Sequence, residues 1–206
     1  MPKGTFIIFE GIDGSGKSTQ IQLLNEKLTK RSTYAYLTCE PSNRPIGQLI
    51  RKILHKEIQT TNDVLAGLYF SDRLDHLKNA EDGILQKLEE GIMVISDRYY
   101  MSSLAYNSLN SSISWVYELN KICMETLRPD LTIYLDLSVE ESLSRIKVGR
   151  EREELFDKND VLKRVKSNYE EAIKLLSPHE KIITINADQD PEWIGAEIWE
   201  EVEKIA

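Results

Sequence analysis

Short apolar runs alternate along this chain with stretches in which apolar residues recur at helical spacing. The runs are rich in β-branched residues and bounded by turn residues, which is typical of strands buried on both faces. The predicted strands are Thr5–Glu10, Tyr34–Cys39, Ile92–Ser96, Leu131–Leu137 and Lys181–Asn186. The stretches between them are long enough for helices, so the pattern predicts alternating strands and helices.

Helical spacing is clear after the first strand, where Ile21, Leu24 and Leu28 share one face. The predicted helices are Lys17–Arg31, Ile46–Leu54, Asn62–Glu90 with a break near Asp82-Gly83, Ser114–Leu127, Val139–Val148, Val161–Leu176 and Pro191–Ile205. Strands separated by helices predict an α/β fold, a three-layer αβα arrangement around a five-stranded parallel sheet. The order of the strands in the sheet does not follow from this pattern.

Composition and charge narrow the class of protein. The 206 residues suit one domain spanning 1–206, and 41% hydrophobic residues suffice for a packed core. The net charge of -8 disfavours a basic face that binds nucleic acid. Cys39 and Cys123 lack the spacing of a metal site, and no apolar run reaches the ~18 residues of a membrane span. The first strand leaves no room for a signal peptide, so we expect a cytoplasmic protein.

A glycine-rich loop follows the first predicted strand and opens the first predicted helix. Gly11, Gly16, Lys17 and Ser18 complete the pattern G-x-x-x-x-G-K-[ST] of a P-loop in that context. Glycines let the backbone turn its N–H groups toward phosphate oxygens, and the helix N-terminus adds positive potential. We expect Lys17 to contact the β- and γ-phosphates of ATP and the Ser18 hydroxyl to bind Mg²⁺. The alternative is a glycine-rich turn without a ligand.

Several classes of protein share this loop, and the rest of the sequence separates them. A GTPase needs a guanine-reading N-K-x-D segment, but the nearest match, Asn120-Lys121-Ile122-Cys123, lacks the Asp and lies in a predicted helix. ATP-driven motors are usually larger than this chain. A kinase that acts on a small acceptor fits the length best.

Four segments resemble the thymidylate kinase family. They are Phe9–Thr19 (FEGIDGSGKST), Glu40-Pro41 with Ile46-Gly47 and Ile50-Arg51, Asp97-Arg98-Tyr99 with Ser102 and Ala105-Tyr106, and Pro129–Asp136. The loop alone is generic, but its combination with the D-R-Y-x-x-S-x-x-A-Y segment is specific. The resemblance runs from Thr5 to about Tyr169, and more weakly to the end of the chain.

The resemblance implies a homodimeric P-loop kinase that uses Mg²⁺ and ATP to phosphorylate dTMP to dTDP in dTTP biosynthesis. ATP would bind the loop residues Gly11, Ile12, Asp13, Gly14, Ser15, Gly16, Lys17, Ser18 and Thr19. Two other functions stay open. One is another nucleoside or nucleoside-monophosphate kinase, and the other is an ATP-binding switch protein without transferase activity.

Tyr69 and Arg73 are one helical turn apart, so they share a face. A flat ring can stack on a base, and a guanidinium can donate to a base carbonyl. The resemblance implies these roles toward thymine, with Phe70 as the alternative stacking ring. A structural alternative places Tyr69 in the core and pairs Arg73 with Asp72 or Asp75.

Asp97 and Arg98 directly follow a predicted strand, where ligands bind in open α/β sheets. Arg98 can clamp the acceptor phosphate through two hydrogen bonds, and Asp97 resembles the acidic residue that positions Mg²⁺ or its waters. Through the same resemblance, Asp13 would contact the acceptor sugar or Mg²⁺, and Arg51 the acceptor phosphate. A surface ion pair of Asp97 with Arg98 and a solvated position for Arg51 stay open.

Ser103 and Tyr106 share one face of the segment after Arg98, and the resemblance places both near the base and sugar of dTMP. A Tyr ring against the ribose 2′ carbon would disfavour a ribonucleotide. Many members of the family have Asn or Gln where this chain has Ser103 or Asn107, so the base contacts can differ here. Tyr106 is also a candidate core residue.

A charge cluster, Gly149–Glu154, follows a predicted helix. It is either a solvated face or part of a lid, approximately 147–160, that closes over the phosphates. Some thymidylate kinases carry a catalytic Arg inside the phosphate loop, but this chain has Gly14 there. We therefore expect Arg150 or Arg152 to supply the cation that stabilises the transition state.

Overall fold

The computed structural model describes residues 4–149, 155–156 and 158–205. Within them, parallel strands form one sheet: β1 (Phe6–Glu10), β2 (Ala35–Cys39), β3 (Met93–Asp97), β4 (Leu131–Asp136) and β5 (Ile182–Asn186). The helices are α1 (Lys17–Lys30), α2 (Pro45–Leu54), α3 (Asn62–Lys78), α4 (Ile84–Glu89), α5 (Tyr100–Asn107), α6 (Ile113–Thr126), α7 (Val139–Gly149), α8 (Asn159–Leu176) and α9 (Pro191–Val202). The prediction of an α/β fold with a five-stranded parallel sheet is confirmed.

The strand order is β2-β3-β1-β4-β5, so β1 is the central strand, with β3 and β2 on one side and β4 and β5 on the other. Phe9 of β1 and Cys39 of β2 both lie beside Asp97 of β3, and these three strands therefore end at the same edge of the sheet. Where the strand order reverses in an open parallel sheet, the loops diverge and leave a crevice at the carboxyl ends. This crevice lies at the end of β1, directly before the glycine-rich loop.

Helices cover both faces of the sheet. Phe6 and Ile8 of β1 pack into an apolar cluster with side chains of α5, α6 and α8, whereas Ile7 and Phe9 pack into a second cluster with α1 and α9. A strand buried on both faces has no solvent-facing positions, which explains why β1 reads as a continuous apolar run. Its last residue, Glu10, is charged and fully buried.

The predicted helix Asn62–Glu90 is two helices, α3 and α4, and the interruption falls near the predicted Asp82-Gly83 break. At this break the Gly83 N–H donates to the carbonyl oxygen of Asn79 at 3.0 Å. A Cβ on Gly83 would lie 2.4 Å from that oxygen, so this tight turn needs glycine. None of the helices in the described ranges is long and apolar enough to cross a membrane.

Candidate active site

A cleft of about 810 Å³ opens at the carboxyl ends of β1, β2 and β3. The predicted site residues that line it are Asp13, Gly14, Ser15, Gly16, Lys17, Ser18, Thr19, Arg51, Tyr69, Arg73, Asp97, Arg98, Ser103 and Tyr106. Gly11 and Ile12, the first two residues of the loop, are buried. Phe70 packs against the apolar cluster beside α5 instead, so Tyr69 is the ring of that pair that lines the cleft.

The phosphate loop adopts backbone angles that suit glycine. The φ angles are +143° at Gly11, +75° at Gly14 and +92° at Gly16. Helix α7 lies directly on this loop, because the Ser142 hydroxyl donates to the carbonyl oxygen of Asp13 at 2.7 Å. A Cβ on Gly14 would lie 2.8 Å from the carbonyl oxygen of Ser142. Position 14 therefore has no space for a side chain while α7 keeps this place.

Lys17 is buried under the loop, where its Nζ donates to the carbonyl oxygens of Gly11 and Ile12 at 3.1 Å each. Burial lowers the pKa of Lys17 below its ordinary value, and the positive charge of Arg98 lowers it further. Two neighbouring cations withdrawn from water are stabilised by negative charge placed between them. Phosphate groups in the cleft would supply that charge.

Arg98 is anchored by hydrogen bonds from both of its terminal nitrogens. Nη1 shares its two N–H groups among Gly11 O, Ser102 Oγ and Tyr169 Oη at 3.1, 2.9 and 3.0 Å, and Nη2 donates to Asp13 Oδ1 and Tyr106 Oη at 2.6 and 3.3 Å. Its ion pair is therefore with Asp13, not with its neighbour Asp97. The residue has φ +75°, which costs an L-residue about 1–2 kcal/mol. Strain of this kind is retained mostly at functional sites.

Behind Arg98, the buried carboxylate of Glu10 accepts hydrogen bonds from four groups on three residues. It accepts from the Tyr99 N–H at 2.8 Å, from the Ser102 N–H and hydroxyl at 3.1 and 2.5 Å, and from the Tyr169 hydroxyl at 2.9 Å. Burial raises the pKa of Glu10 above its ordinary value, and the charge of Arg98 opposes that shift. Burial also raises the pKa of Tyr169, so its hydroxyl keeps the proton that it donates to Glu10.

Glu10 and Tyr169 were not among the residues predicted to have a role in the site. For Glu10 a signal was present, since a carboxylate ends an otherwise apolar strand, and a buried charge needs partners. Tyr169 lies on the buried stripe of α8, where its residue type and spacing match ordinary core packing. Nothing in the local sequence distinguishes it from a core tyrosine.

The Ser18 hydroxyl at the start of α1 donates to Asp97 Oδ2 at the end of β3, over 3.4 Å. The other oxygen, Asp97 Oδ1, is buried and has no hydrogen-bond partner within the described part of the chain. A hydroxyl and an unsatisfied carboxylate oxygen are the ligands that Mg²⁺ takes from proteins, together with substrate phosphates. No group of three or more His, Cys, Asp and Glu that could hold a metal ion occurs among the residues described.

Arg73 is only 1% exposed, yet it lines the cleft. Its Nε and Nη2 share one oxygen of Glu40, at 2.7 and 2.6 Å. Its Nη1 donates to Ser103 Oγ at 3.0 Å and also to Asn120 Oδ1. Three elements, the β2 end, α5 and α6, therefore fix one guanidinium from α3.

The acidic neighbours of Arg73 bind elsewhere. Asp72 accepts from the N–H and hydroxyl of Ser42 at 2.7 and 2.6 Å, and Asp75 pairs with Arg44 at 3.4 Å. Both carboxylates anchor the loop after β2 to α3. The predicted alternative, an ion pair of Arg73 with Asp72 or Asp75, is therefore not what the structure has, and Arg73 lines the cleft.

Two predicted residues of the cleft wall, the buried Tyr106 and the half-buried Arg51, are adjacent to other site groups. Tyr106 is 9% exposed, carries the Arg98 guanidinium over its ring at 5.0 Å and meets Phe156 edge to face at 5.2 Å. Arg51 donates to the carbonyl oxygen of Pro41 and approaches Cys39 Sγ at 3.6 Å. The core and cleft interpretations of Tyr106 are thus compatible, and Arg51 is only partly solvated.

Asn107 belongs to the same wall but was not among the predicted site residues. It is 6% exposed, and its Nδ2 has no hydrogen-bond partner in the described residues. A buried amide without a partner costs free energy until a ligand pairs with it. Its position in the cleft makes Asn107 a donor available to a bound molecule.

The other end of the cleft lies between α7 and α9. Arg145 is held there by Glu141 Oε1 at 2.9 Å and by the carbonyl oxygen of Ala187 at 3.3 Å, next to Gln189 and Pro191. The sequence offered no local motif for this end. The predicted lid arginines, Arg150 and Arg152, lie outside the described residues.

Comparison with known proteins gives one consistent family. The family model described as thymidylate kinase matches residues 9–198. The chain is 40% identical over 186 residues to a protein named "Probable thymidylate kinase" from Methanococcus aeolicus, covering 89% of this chain and 87% of that one. It is 38% identical to a protein of the same name from Thermococcus gammatolerans, covering 95% and 94% of the two chains. A third protein of that name, from Pyrococcus horikoshii, is 39% identical over 95% and 94%.

Proposed function

Because this chain belongs to the thymidylate kinase family and is an ATP:dTMP phosphotransferase that forms dTDP, we propose that the cleft performs the transfer by direct in-line attack. The attacking group is a phosphate oxygen of dTMP. The second pKa of a phosphate monoester is about 6, so this oxygen is ionised at neutral pH and needs no general base. The work of the protein is therefore positioning and charge stabilisation.

One observation carries this proposal. The carbonyl oxygen of Gly11 accepts hydrogen bonds from both Lys17 Nζ and Arg98 Nη1, at 3.1 Å each. The cation of the phosphate loop and the cation that we assign to the acceptor therefore meet at a single backbone atom. Phosphates bound to these two cations would be neighbours, which is the arrangement that direct transfer requires.

We assign Ser18 and Asp97 to Mg²⁺, with Asp13 as a further candidate near the acceptor sugar. Asp97 Oδ1, which has no hydrogen-bond partner among the residues described, supports this choice, as does the Ser18 hydroxyl, 3.4 Å from the other carboxylate oxygen. Charge neutralisation on the transferred phosphate is what Mg²⁺ supplies when it is bound.

We propose that the base of dTMP lies between Tyr69 and the α5 wall. Tyr69 would stack on the pyrimidine, Arg73 would donate to its carbonyl at position 4, and the Asn107 amide would provide a second polar contact. Ser103 contributes mainly by holding Arg73, to which its hydroxyl is bonded at 3.0 Å. Tyr106, beneath Arg98, would close the sugar side of the pocket and disfavour a 2′-hydroxyl.

The adenine of ATP would occupy the end of the cleft beside Arg145 and Gln189. The Arg145 guanidinium is planar and immobilised by Glu141 and Ala187, which suits it to stack on a base. The loop Gly11–Thr19 would bind the phosphates between these two ends. Each nucleotide then has its own half of the cleft.

We also propose that a lid within about 147–160 delivers Arg150 or Arg152 to the transferred phosphate. Gly14 supports this assignment, because the loop position at which some thymidylate kinases carry an arginine has no space for a side chain here. An arginine brought by closure would stabilise charge on the equatorial oxygens. Together with Lys17 and Arg98 it would complete the catalytic set.

The active protein is proposed to be a homodimer in the cytoplasm. The outer face of α6 exposes Trp115 and Ile122, two turns apart, by 41% and 45%. Large apolar side chains that share a helix face are typical of a surface covered by another subunit. Both cysteines, Cys39 and Cys123, are free thiols, which suits a reducing compartment.

Separate binding measurements test whether Arg98 binds the phosphate of dTMP and Lys17 the phosphates of ATP. Arg98→Lys loses the fork of donors, so we expect it to weaken dTMP binding roughly tenfold or more while ATP binding changes little. Lys17→Met should do the reverse. Titration calorimetry with each nucleotide alone gives both constants. Equal weakening of ATP and dTMP by Arg98→Lys would show that Arg98 does not belong to the acceptor half.

A further inference from the structure

Asn120 holds the guanidinium of Arg73 without lining the cleft itself. It is fully buried in α6, and its Oδ1 accepts a hydrogen bond from Arg73 Nη1. It also begins the Asn120-Lys121-Ile122-Cys123 segment, which has Cys where a guanine-reading N-K-x-D segment has Asp. A buried side chain that touches a ligand-facing arginine can act on the ligand through that arginine.

The amide of Asn120 has only one orientation that satisfies both of its ends. Its Nδ2 donates to the carbonyl oxygen of Val116 at 2.8 Å, which directs Oδ1 at Arg73. A flipped amide would place its NH₂ against the donor-only guanidinium and its oxygen against a carbonyl oxygen. Two buried mismatches would result, so the acceptor is fixed toward Arg73.

The partners of Arg73 leave one of its N–H groups for a ligand. A guanidinium has five N–H groups. Glu40 takes one from Nε and one from Nη2, and Ser103 and Asn120 take the two on Nη1. The remaining N–H is on Nη2. Arg73 therefore presents one donor in a fixed direction instead of a rotating fork.

We propose that Asn120 is a positioning residue that sets the preference for a pyrimidine with a carbonyl at position 4. This inference rests on the proposed function, in which Arg73 reads that position of the base. A fixed donor pairs with the carbonyl of thymine or uracil and opposes the amino group of cytosine, which is itself a donor. Once Asn120 is removed, Arg73 Nη1 loses an acceptor and the guanidinium plane can turn. Thymine then loses its hydrogen bond from Arg73, and cytosine is no longer opposed by a fixed donor.

The test is the ratio of kcat/KM for dTMP to that for dCMP, measured at saturating ATP and Mg²⁺. Asn120→Leu keeps the branched shape of the side chain but removes the acceptor, and we expect the ratio to fall roughly tenfold. The ratio of dTMP to dUMP should stay unchanged, because both bases carry the carbonyl. Asn120→Asp retains an oxygen toward Arg73 and should restore most of the ratio.

Val116→Ala is the matched control for lost packing in α6. Val116 is fully buried one turn before Asn120, and the substitution leaves its backbone oxygen in place. Its melting temperature should fall while its base ratios stay those of the wild type. If Asn120→Leu does not fold, Asn120→Ala replaces it in the same measurements.

Arg73→Lys separates failure of this inference from failure of the proposed function. If Arg73→Lys lowers the dTMP to dCMP ratio but the Asn120 variants that lack the oxygen do not, Asn120 has only a structural role and the inference is wrong. If Arg73→Lys also leaves the ratio unchanged, the base-reading role of Arg73 is wrong. An equal fall of the dTMP to dCMP ratio in Asn120→Leu and Asn120→Asp would also contradict the role of the Asn120 side-chain oxygen.

Discussion

Substitution of Gly14 by alanine tests how closely α7 packs on the phosphate loop. At φ +75° an L-residue costs about 1–2 kcal/mol more than glycine. The new Cβ would also lie 2.8 Å from the carbonyl oxygen of Ser142, which is backbone within α7 and cannot move alone. Forcing α7 outward adds about 1–3 kcal/mol of overpacking. We expect Gly14→Ala to lower the free energy of unfolding by about 2–5 kcal/mol.

Gly16→Ala is the matched control. Its φ of +92° brings backbone strain, but a Cβ there meets nothing within 4 Å. Only about 1–2 kcal/mol should be lost. Urea denaturation of both variants without nucleotide, followed by circular dichroism, measures the difference. Equal losses at the two positions would refute the contact between α7 and Gly14, and with it the structural reason for the missing loop arginine.

Three further predictions concern catalysis and assembly. Arg150→Ala or Arg152→Ala should lower kcat far more than it changes ATP affinity, as steady-state kinetics and calorimetry can measure. Tyr169→Phe removes the hydroxyl that accepts a hydrogen bond from Arg98, the residue assigned to the phosphate of dTMP. We expect kcat/KM for dTMP to fall roughly tenfold while KM for ATP is retained. Trp115→Glu places a charge on the exposed α6 face and should convert a dimer into monomers in light scattering.

The same experiments contain their own controls. Tyr100→Phe also removes a buried tyrosine hydroxyl, but one that donates to Glu180 at 2.6 Å, so its kcat/KM should stay near that of the wild type. Normal kcat in both single lid variants would remove the lid arginines from the mechanism. A wild-type chain that is already monomeric would end the dimer proposal.

The fold could be predicted from the sequence because its signals are local. Strands buried on both faces give unbroken apolar runs, and the phosphate loop is fixed by a few glycines between a strand and a helix. The order of the strands could not be predicted, since pairing joins residues far apart in the chain, such as Phe9 with Asp97. Even the break in the long helical stretch was visible, because Gly83 marks it.

In the candidate site, too, local patterns could be predicted and contacts between distant residues could not. Arg73 and Arg98 were selected from their spacing and strand-end position, but their partners come from distant elements. Arg73 is held by Glu40 and Asn120, which are 33 and 47 residues away. The residue types of Glu40 and Asn120 do not by themselves predict these contacts. Tyr169, 71 residues from Arg98, is likewise found only in the folded chain.

The measurement that most directly tests the whole account is product formation by the purified chain with ATP, Mg²⁺ and a panel of nucleoside monophosphates. The nucleotides are dTMP, dUMP, dCMP, UMP, CMP, AMP and GMP, and chromatography follows ADP and each diphosphate. We expect dTMP to give the highest kcat/KM, with dTDP and ADP formed in equal amounts. Turnover of CMP or UMP well above that of dTMP would contradict the assignment of the acceptor half of the cleft.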